Sequence, residues 1–286
     1  MLENCNDLLV SDKLFDIQHL KISSNASMAT RHYHHHYEIY YQLSGERYYF
    51  IKDRSYYIKK GDLVIINMFD LHKTSYAGTN DYERILINFK AEYIDDYLAA
   101  SKDIDVLQTF KKSSNVYRLS LQEQTFVERL LNKMMEEKEH TSPGSHTYLR
   151  LNLMELLIFI SRQSFKPQKQ YLEFPSTMHK KISLVTRYIN ANFSNKLTLN
   201  QLALDFQVSP FYLSRTFKEV TGFSFIEYLN ITRVKEAQRL LIDTRLSITD
   251  ISQEVGFESP THFGRVFKSI TQNSPLKFRK TNYKSM

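Results

Sequence analysis

Near the carboxyl end of the chain, the pattern of apolar and polar residues has the period of an α-helix over two short segments. Between residues 247 and 255 the apolar side chains recur at intervals of three and four residues, which places them on one helix face. Gly256 interrupts this pattern. A second helix is predicted from Ser259, because its hydroxyl can accept hydrogen bonds from the first helical turn and because Pro260 is tolerated at the first helical position.

The second predicted helix has two chemically different faces. Phe263, Phe267 and Ile270 follow one another at helical spacing and form the face that must turn inward. The opposite face consists of Thr261, His262, Arg265 and Lys268. A polar and basic helix face that follows a tight turn is suited to the recognition of bases in the DNA major groove.

The same pattern occurs a second time, earlier in the chain. The segment SPFYLSRTFK at residues 209–218 matches SPTHFGRVFK at residues 259–268, with Ser, Pro, Arg, Phe and Lys identical in step. We therefore predict two helix-turn-helix units, at about residues 197–221 and 247–271. Apolar residues at helical spacing from 224 to 242 predict a long helix that connects them.

The length of the connecting helix suits DNA. At about 1.5 Å per residue it spans roughly 28 Å, which is close to the ~34 Å between successive major-groove segments on one side of a duplex. One chain can therefore occupy two consecutive segments. Helical spacing places Arg233, Lys235 and Arg239 on the outer side of this helix.

Residues 30–89 have the two-residue period of β-strands instead. Short aromatic and β-branched segments are separated by turn residues, and they read YEIYYQL, RYYFIK, SYYIKK, DLVIIN and RILINF. Several antiparallel strands at this spacing predict a small barrel or a double-sheet jelly roll. The first twenty residues carry few strand signals, and we expect them to form an arm.

Residues 120–164 return to helical periodicity. Two amphipathic helices are predicted on either side of the sequence Ser142-Pro143-Gly144, and the second is apolar enough to face more than one neighbour. The alternative to a helix with several neighbours is an ordinary helix buried within the domain. A segment with two prolines follows. The predicted fold class is therefore α+β with two domains, residues 1–165 and 178–286, joined by a linker at 166–177.

The net positive charge of the chain is concentrated in its C-terminal part. The net charge is +7, but residues 176–286 contain 16 Lys and Arg against 8 Asp and Glu, which leaves 22 against 23 before them. This distribution indicates that only the second domain binds a polyanion. The alternative is that a basic surface merely aids solubility.

The cysteine content and the hydropathy of the chain exclude several classes of protein. Cys5 is the only cysteine, so neither an intrachain disulfide nor a thiolate zinc site can form. We expect a cytoplasmic protein without a secretory signal or membrane contact, because the longest apolar cluster, residues 153–160, contains a glutamate and is too short to span a bilayer.

The C-terminal hundred residues resemble the DNA-binding domain of the AraC/XylS family of bacterial transcription regulators, through GFESPTHFGRVFK, the SPLKFRK tail and the repeat. The resemblance implies a transcription regulator that responds to a small-molecule effector and is not an enzyme, with no cofactor. Three residues depart from the family pattern: Gln207, Ser252 and Gln272. We expect Gln207, which replaces the usual Gly, Asn or His of the first turn, to strain that turn slightly.

The same resemblance implies roles on the two predicted DNA-binding helices. The base-contacting positions are Phe211, Ser214 and Arg215 in the first unit and Thr261, His262 and Arg265 in the second. Arginine can bind guanine with two hydrogen bonds, while Thr and Phe can contact a thymine methyl. Phosphate contacts are assigned to Lys218, Lys268, Ser209 and Ser259. The alternative for each arginine is an ion pair with an acidic residue of the adjoining helix.

The order of the predicted strands resembles a cupin barrel. His32, His34, Glu38 and Gly45 have the spacing of the first cupin motif, and Gly61 and His72 occupy their places in the second. The second motif is incomplete, because Asn67, Phe69 and Tyr76 stand where Pro, Gly and Asn are expected. The N-terminal domain is therefore expected to be a cupin-like β-barrel with dimerisation helices.

These residues predict a pocket for the effector. His32, His34 and Glu38 share one strand face, and His72 approaches from a neighbouring strand. Tyr40 and Arg84 are expected to line the same pocket, and aromatic residues such as Tyr40 and Tyr49 favour a sugar or a sugar derivative. The three histidines and Glu38 also form a ligand set that divalent metals accept, but the incomplete second motif favours a pocket without metal.

The expected partners are double-stranded promoter DNA, a small-molecule effector, a second copy of the chain and RNA polymerase. One alternative is a metal-dependent cupin enzyme or metal sensor fused to a DNA-binding module. Another is an effector-independent regulator in which the barrel is only a scaffold for dimerisation.

Overall fold

A computed structural model describes residues 14–23, 34–78, 81–100, 103–112, 116–140, 142–166 and 176–282. These residues form two compact units. The first comprises the described residues up to 51 and from 55 to 166, and the second comprises residues 52–54 and 176–282. Most of the predicted linker, residues 167–175, lies outside the described ranges. Among the helices of the described ranges, none has both the length and the apolar character that a bilayer span requires.

The first unit contains two antiparallel sheets. The larger one has the strand order β1-β7-β2-β5-β8 and the smaller one has the order β4-β3-β6. The strands are β1 Phe15–Ser23, β2 Tyr37–Ser44, β3 Arg47–Ile51, β4 Arg54–Ile58, β5 Asp62–Ile66, β6 His72–Tyr76, β7 Asp81–Phe89 and β8 Val116–Arg118. Five of these strands coincide with the segments whose alternation predicts them.

The expectation of an N-terminal arm is wrong for Phe15–Ser23. This segment pairs with β7 along its whole length, from Phe15 opposite Phe89 to Ser23 opposite Asp81. Its alternation changes phase between Ile17 and Leu20, so neither face is uniformly apolar and the period-two signal is lost.

Both faces of the larger sheet are buried. One face, which includes Ile39, Ile65 and Ile87, packs on helices α2 Leu121–Glu139 and α3 Ser145–Gln163. The other face packs against the smaller sheet through an apolar cluster formed by Tyr40, Tyr49, Ile51, Tyr56, Ile58, Val64, Ile66 and Leu86. A short helix, α1 Asp95–Ala100, precedes α2.

The second unit is helical. Its helices are α4 Thr177–Asn192, α5 Leu199–Asp205, α6 Pro210–Thr221, α7 Phe225–Asp243, α8 Ile248–Glu254, α9 Pro260–Thr271 and α10 Pro275–Asn282. Serine or threonine hydroxyls cap α4 to α9 at their N-termini. The two predicted helix-turn-helix units are thus α5–α6 and α8–α9, and the predicted connecting helix is α7.

The two helix-turn-helix units have the same backbone hydrogen bonds in their turns. The N–H of Gln207 donates to the carbonyl of Leu204 as that of Gly256 donates to the carbonyl of Gln253. Gln207 and Gly256 have φ angles of 53° and 88°, in the left-handed region where a side chain is strained. The expectation of strain at Gln207 is therefore confirmed by its backbone angle.

The prediction that Arg233 lies on the outer side of α7 is wrong. Its Nε donates to the carbonyl of Phe193 over 2.8 Å and its Nη2 to that of Asn195 over 2.9 Å. Its guanidinium also lies 5.4 Å from the centre of the Phe257 ring. Arg233 thus connects the segment that follows α4 with Phe257 in the second turn, because its long side chain reaches backbone carbonyls just beyond the end of that helix.

Candidate functional site

Helix α9 presents a polar face to solvent. Phe263, Phe267 and Ile270 are buried. The opposite face is exposed, and it carries Thr261, His262, Arg265 and Lys268. The burial of one face by aromatic side chains fixes which residues of this helix are available to DNA.

Helix α6 repeats this arrangement. Leu213, Phe217 and Val220 are buried, and the exposed residues Phe211, Ser214, Arg215, Lys218 and Glu219 line a shallow groove. Phe211 is 78% exposed. An aromatic side chain left in water at a helix start is available for an apolar contact such as a thymine methyl.

The arginines of the two exposed faces have no acidic partner. Neither Arg215 nor Arg265 forms an ion pair within the described part of the chain, whereas Arg239 on α7 pairs with Glu236 at 2.6 Å. Their guanidinium groups are therefore available for an external acceptor. The alternative of an ion pair with the adjoining helix is not supported for either residue.

The serines at the two helix starts have a structural role. Ser209 Oγ accepts from the N–H of Tyr212 over 3.2 Å, and Ser259 Oγ accepts from the N–H of His262 over 3.4 Å. Each hydroxyl thus satisfies one free N–H of the first turn. A phosphate contact at these positions stays a prediction, and it would use the positive end of the helix.

In the first unit a polar cluster surrounds Glu38 between the two sheets. Glu38 is 2% exposed. Its Oε2 lies 3.0 Å from His34 Nε2 and 3.7 Å from His72 Nε2, while its Oε1 accepts from the hydroxyl of Tyr49 over 2.9 Å. The structure therefore brings together three of the residues that the sequence analysis places in one pocket: His34, Glu38 and His72.

The electrostatics of this cluster keep the carboxylate charged. Burial alone would raise the pKa of Glu38, but the adjacent His72 and His34, together with hydrogen bonds from His34 and Tyr49, lower it well below its usual value. A buried charge of this kind is tolerated because both oxygens have partners.

The cluster also has the donor set of a metal site. One ligand atom from each of His34, Glu38 and His72 lies within 4.8 Å of the others, and two imidazoles with one carboxylate suit zinc and related divalent ions. Both oxygens of Glu38 already face protein donors. The same geometry therefore also serves as a hydrogen-bonded cluster that needs no ion.

Two residues near the cluster were not predicted as members. The ring of His36 stacks on that of His34, with centroids 3.8 Å apart, and Asn88 lies opposite Glu38 in the register of β2 and β7. Burial and the neighbouring His34 lower the pKa of His36 to about 3. The alternation of side chains along β7 could have indicated Asn88, because this residue lies on the same face of the strand as Arg84 and Leu86.

Arg84 and Tyr40 lie farther along the same interior. Both are buried, and the Arg84 guanidinium lies 5.5 Å from the centre of the Tyr40 ring. The hydroxyl of Tyr40 donates to the side chain of Gln42. His32, the remaining predicted pocket residue, lies outside the described residues.

Phe69 marks where this chain departs from the cupin pattern. It stands at the position where a glycine is expected, and its φ is 60°, a conformation that is strained for a bulky side chain. Its N–H donates to the carbonyl of His34 over 2.9 Å, and its ring meets that of His35 edge-on at 4.5 Å. These contacts hold the strained residue against the histidine segment.

Two family models match this chain. The AraC-like ligand binding domain matches residues 21–157, and a helix-turn-helix domain matches residues 202–281. The chain belongs to the AraC/XylS family. It is therefore a transcriptional regulator with a ligand-binding domain and a DNA-binding domain, in agreement with the fold of its two units.

Transcription regulators of Bacillus subtilis and Escherichia coli are similar to this chain. The regulator YfiF of Bacillus subtilis is 27% identical over 94% of this chain and 84% of its own length, and the transcriptional activator RhaR of Escherichia coli K12 is 27% identical over 88% and 87%. The transcriptional activator and DNA repair enzyme AdaA of Bacillus subtilis is 40% identical over 34% of this chain. That match spans only 46% of AdaA.

Among solved structures, ToxT of Vibrio cholerae is similar along most of the chain. The match covers 95% of this chain and 99% of ToxT, with 14% sequence identity and a TM-score of 0.42.

Proposed function

We propose that this regulator binds promoter DNA through the exposed faces of α6 and α9, and that a small molecule bound between the two sheets of the first unit controls transcription. The proposed effector is a sugar or a sugar derivative. The observation that carries the proposal is the polar cluster around Glu38, which lies between the two sheets beside the buried aromatic rings of Tyr40 and Tyr49.

The interior has both kinds of contact that a sugar ring uses. The rings of Tyr40 and Tyr49 lie 5.4 Å apart at an angle of 64°, and an aromatic face packs against the apolar face of a sugar. His34, Glu38 and His72 donate to and accept from hydroxyl groups. Loss of one such bond leaves a buried partner unsatisfied, at a cost of about 1 to 3 kcal/mol.

On DNA, Arg215 and Arg265 contact bases in two successive major-groove segments. Lys218 and Lys268, which lie one helical turn farther along the same faces, contact phosphates. This division gives the arginines the sequence-specific contacts and the lysines the contacts that position the protein.

Two further partners complete the proposal. A second copy of the chain packs on α3, whose exposed side chains include Leu151 and Tyr148, 49% and 40% exposed. Contact with RNA polymerase is proposed from family membership alone. Leu151→Glu should shift the dimer to monomer in light scattering, whereas an unchanged mass would contradict this interface.

The variant His34→Ala tests the pocket. Genome-wide mapping of binding sites identifies the operon to be followed, and we expect this variant to abolish its effector response while operator binding is retained. The matched control is His19→Ala. It removes an exposed histidine of β1 that pairs with Glu83 at 2.6 Å, and this variant should respond to the effector normally. Normal induction by His34→Ala would favour a barrel that serves only as a scaffold.

A further inference from the structure

The interior of the first unit contains a guanidinium group without an ionic partner. Arg84 is 4% exposed. Within the described part of the chain, its Nε and Nη1 have no hydrogen-bond partner, and no carboxylate forms an ion pair with it. A buried arginine is normally paired, because removing a charge from water costs several kcal/mol.

The strand register shows that Arg84 faces the same interior as the Glu38 cluster. Arg84 lies opposite Gln42, and Glu38 lies opposite Asn88, so the two charged residues share a face of the larger sheet. They are four residues apart along the strands, about 13 Å at ~3.3 Å per residue. The interior therefore has an end that holds Glu38 and an end that holds Arg84.

Glu38 and Glu83, the acidic residues of β2 and β7 on this part of the sheet, already have partners of their own. Glu38 is held by His34, His72 and Tyr49. Glu83, the preceding residue, pairs with His19 at 2.6 Å.

A second guanidinium adds to the positive charge at this end. Arg47 is 1% exposed and lies 3.6 Å from the centre of the Tyr82 ring. Tyr82 is two residues from Arg84 on β7 and so lies on the same face. Two buried cationic groups therefore lie near this end of the interior.

We infer that the effector carries a carboxylate that pairs with Arg84, which makes it a sugar acid such as a uronic acid rather than a neutral sugar. This inference rests on the proposed function, since it specifies the chemistry of the molecule bound between the sheets. The free N–H groups of Arg84 bind the carboxylate, and the hydroxyl groups of the ligand reach the Glu38 cluster. Charge-assisted hydrogen bonds of this kind are stronger than neutral ones.

The test is a thermal-shift titration of the full chain with matched compounds. The probes are D-galacturonate and D-glucuronate with D-galactose and D-glucose as neutral counterparts, all at equal ionic strength. We expect a uronate to raise the unfolding midpoint at a concentration at least roughly tenfold lower than its neutral counterpart. Arg84→Gln should weaken uronate binding roughly 10- to 100-fold, and Arg84→Lys should keep the preference for the acid.

Control variants separate binding from folding. Arg129→Gln removes one positive charge from the exposed surface of α2 and should bind uronate as the unchanged protein does. Without ligand, Arg84→Met should raise the unfolding midpoint, because an unpaired buried charge is replaced by an apolar side chain. A lower unfolding midpoint in Arg84→Met would show that Arg84 stabilises the folded protein without ligand, and this would overturn the inference.

The two proposals fail in different ways. Neutral sugars that bind as tightly as uronates, or an Arg84→Gln variant that binds uronate normally, would overturn the inference and leave the sensing function in place. A titration in which none of the four compounds binds would overturn the assignment of a sugar effector together with this inference.

Discussion

At the scale of single residues, the arginines of the second unit divide by what their guanidinium groups contact. Arg233 and Arg279 donate to backbone carbonyls within the unit. Arg215 and Arg265 lie on the exposed faces of α6 and α9, and among the described residues neither pairs with an acidic side chain. The first pair therefore contributes to the fold, and the second pair is available to bases.

The second unit offers a direct comparison on α9. Arg265→Ala should cost about 1 to 3 kcal/mol on the cognate site and relax the preference at one or two base pairs. Lys268→Ala should weaken binding to all sequences alike, because a phosphate contact carries no sequence information. It should also reduce the slope of log affinity against log salt concentration by about 1. Competition on a randomised site measures both effects, and identical profiles for the two variants would show that the face is wrongly assigned.

The half-buried imidazole of His36 predicts how stability depends on pH. Its folded pKa is lowered to about 3, so between this value and about 6.5 the unfolded chain binds a proton that the folded chain does not. The stability of the first unit should therefore fall as the pH decreases from about 6.5 towards 3. Urea unfolding of the full chain at pH 7 and pH 5 measures this change.

The matched variant for this pH dependence is His36→Phe, which keeps an aromatic ring beside His34. It should unfold with a weaker dependence on pH than the unchanged protein. An equal dependence in both proteins would assign the effect to other groups.

Residue-level chemistry was predictable only where strand parity determined it. Parity placed Glu38, Tyr40 and Arg84 on interior faces, and the cupin spacing added His34 and His72. The hydrogen bond from Tyr49 to Glu38 was not predictable, because it requires the smaller sheet to pack over the larger one. That Arg84 has no ionic partner among the described residues likewise emerges only when the neighbouring strands are in place.

At the scale of elements, the two turns of the helix-turn-helix units differ in how much they tolerate a side chain. Both Gln207 and Gly256 have positive φ angles. A Cβ on Gly256 would also lie 2.5 Å from the carbonyl oxygen of Ser194, which is closer than any non-bonded contact permits. The second turn therefore requires glycine for two reasons. The first turn shows that a positive φ angle alone is tolerated, because Gln207 adopts one there.

This difference predicts the effect of Gly256→Ala. The strained φ angle and the clash with a backbone atom should together destabilise the second unit by about 1 to 3 kcal/mol or more. Gln207→Gly, the matched change in the other turn, should be neutral or slightly stabilising because it relieves strain. Urea denaturation measures both, and a Gly256→Ala variant as stable as the unchanged chain would contradict the close packing of Ser194.

Elements with a strong period were predictable, and elements whose residues are polar or few were not. The helix pairs α5–α6 and α8–α9 follow from their repeated sequence and their serine caps. Strand β6, HKTSY, has no apolar alternation because its inward residues His72 and Thr74 are polar, and only the histidine position of the second cupin motif predicts a strand there. Strand β8 has three residues, too few for a period to appear.

At the scale of the whole molecule, charge separates the two units. Residues 176–286 carry twice as many basic as acidic residues, and the residues before them are nearly neutral. The second unit also has its own buried core, which includes Phe217, Tyr228, Phe263 and Phe267. The part of the chain that meets DNA can therefore be studied as a fragment.

The salt dependence of DNA binding by the fragment 176–286 tests this account most directly. The fragment should bind the operator, and the logarithm of its affinity should fall linearly with the logarithm of salt concentration, with a slope of about −0.9 for each phosphate neutralised. The variant Lys218→Ala in the same fragment should reduce that slope by about one phosphate. A fragment that stays unbound at low salt, or that binds with no dependence on salt, would contradict the assignment of DNA binding to α6 and α9.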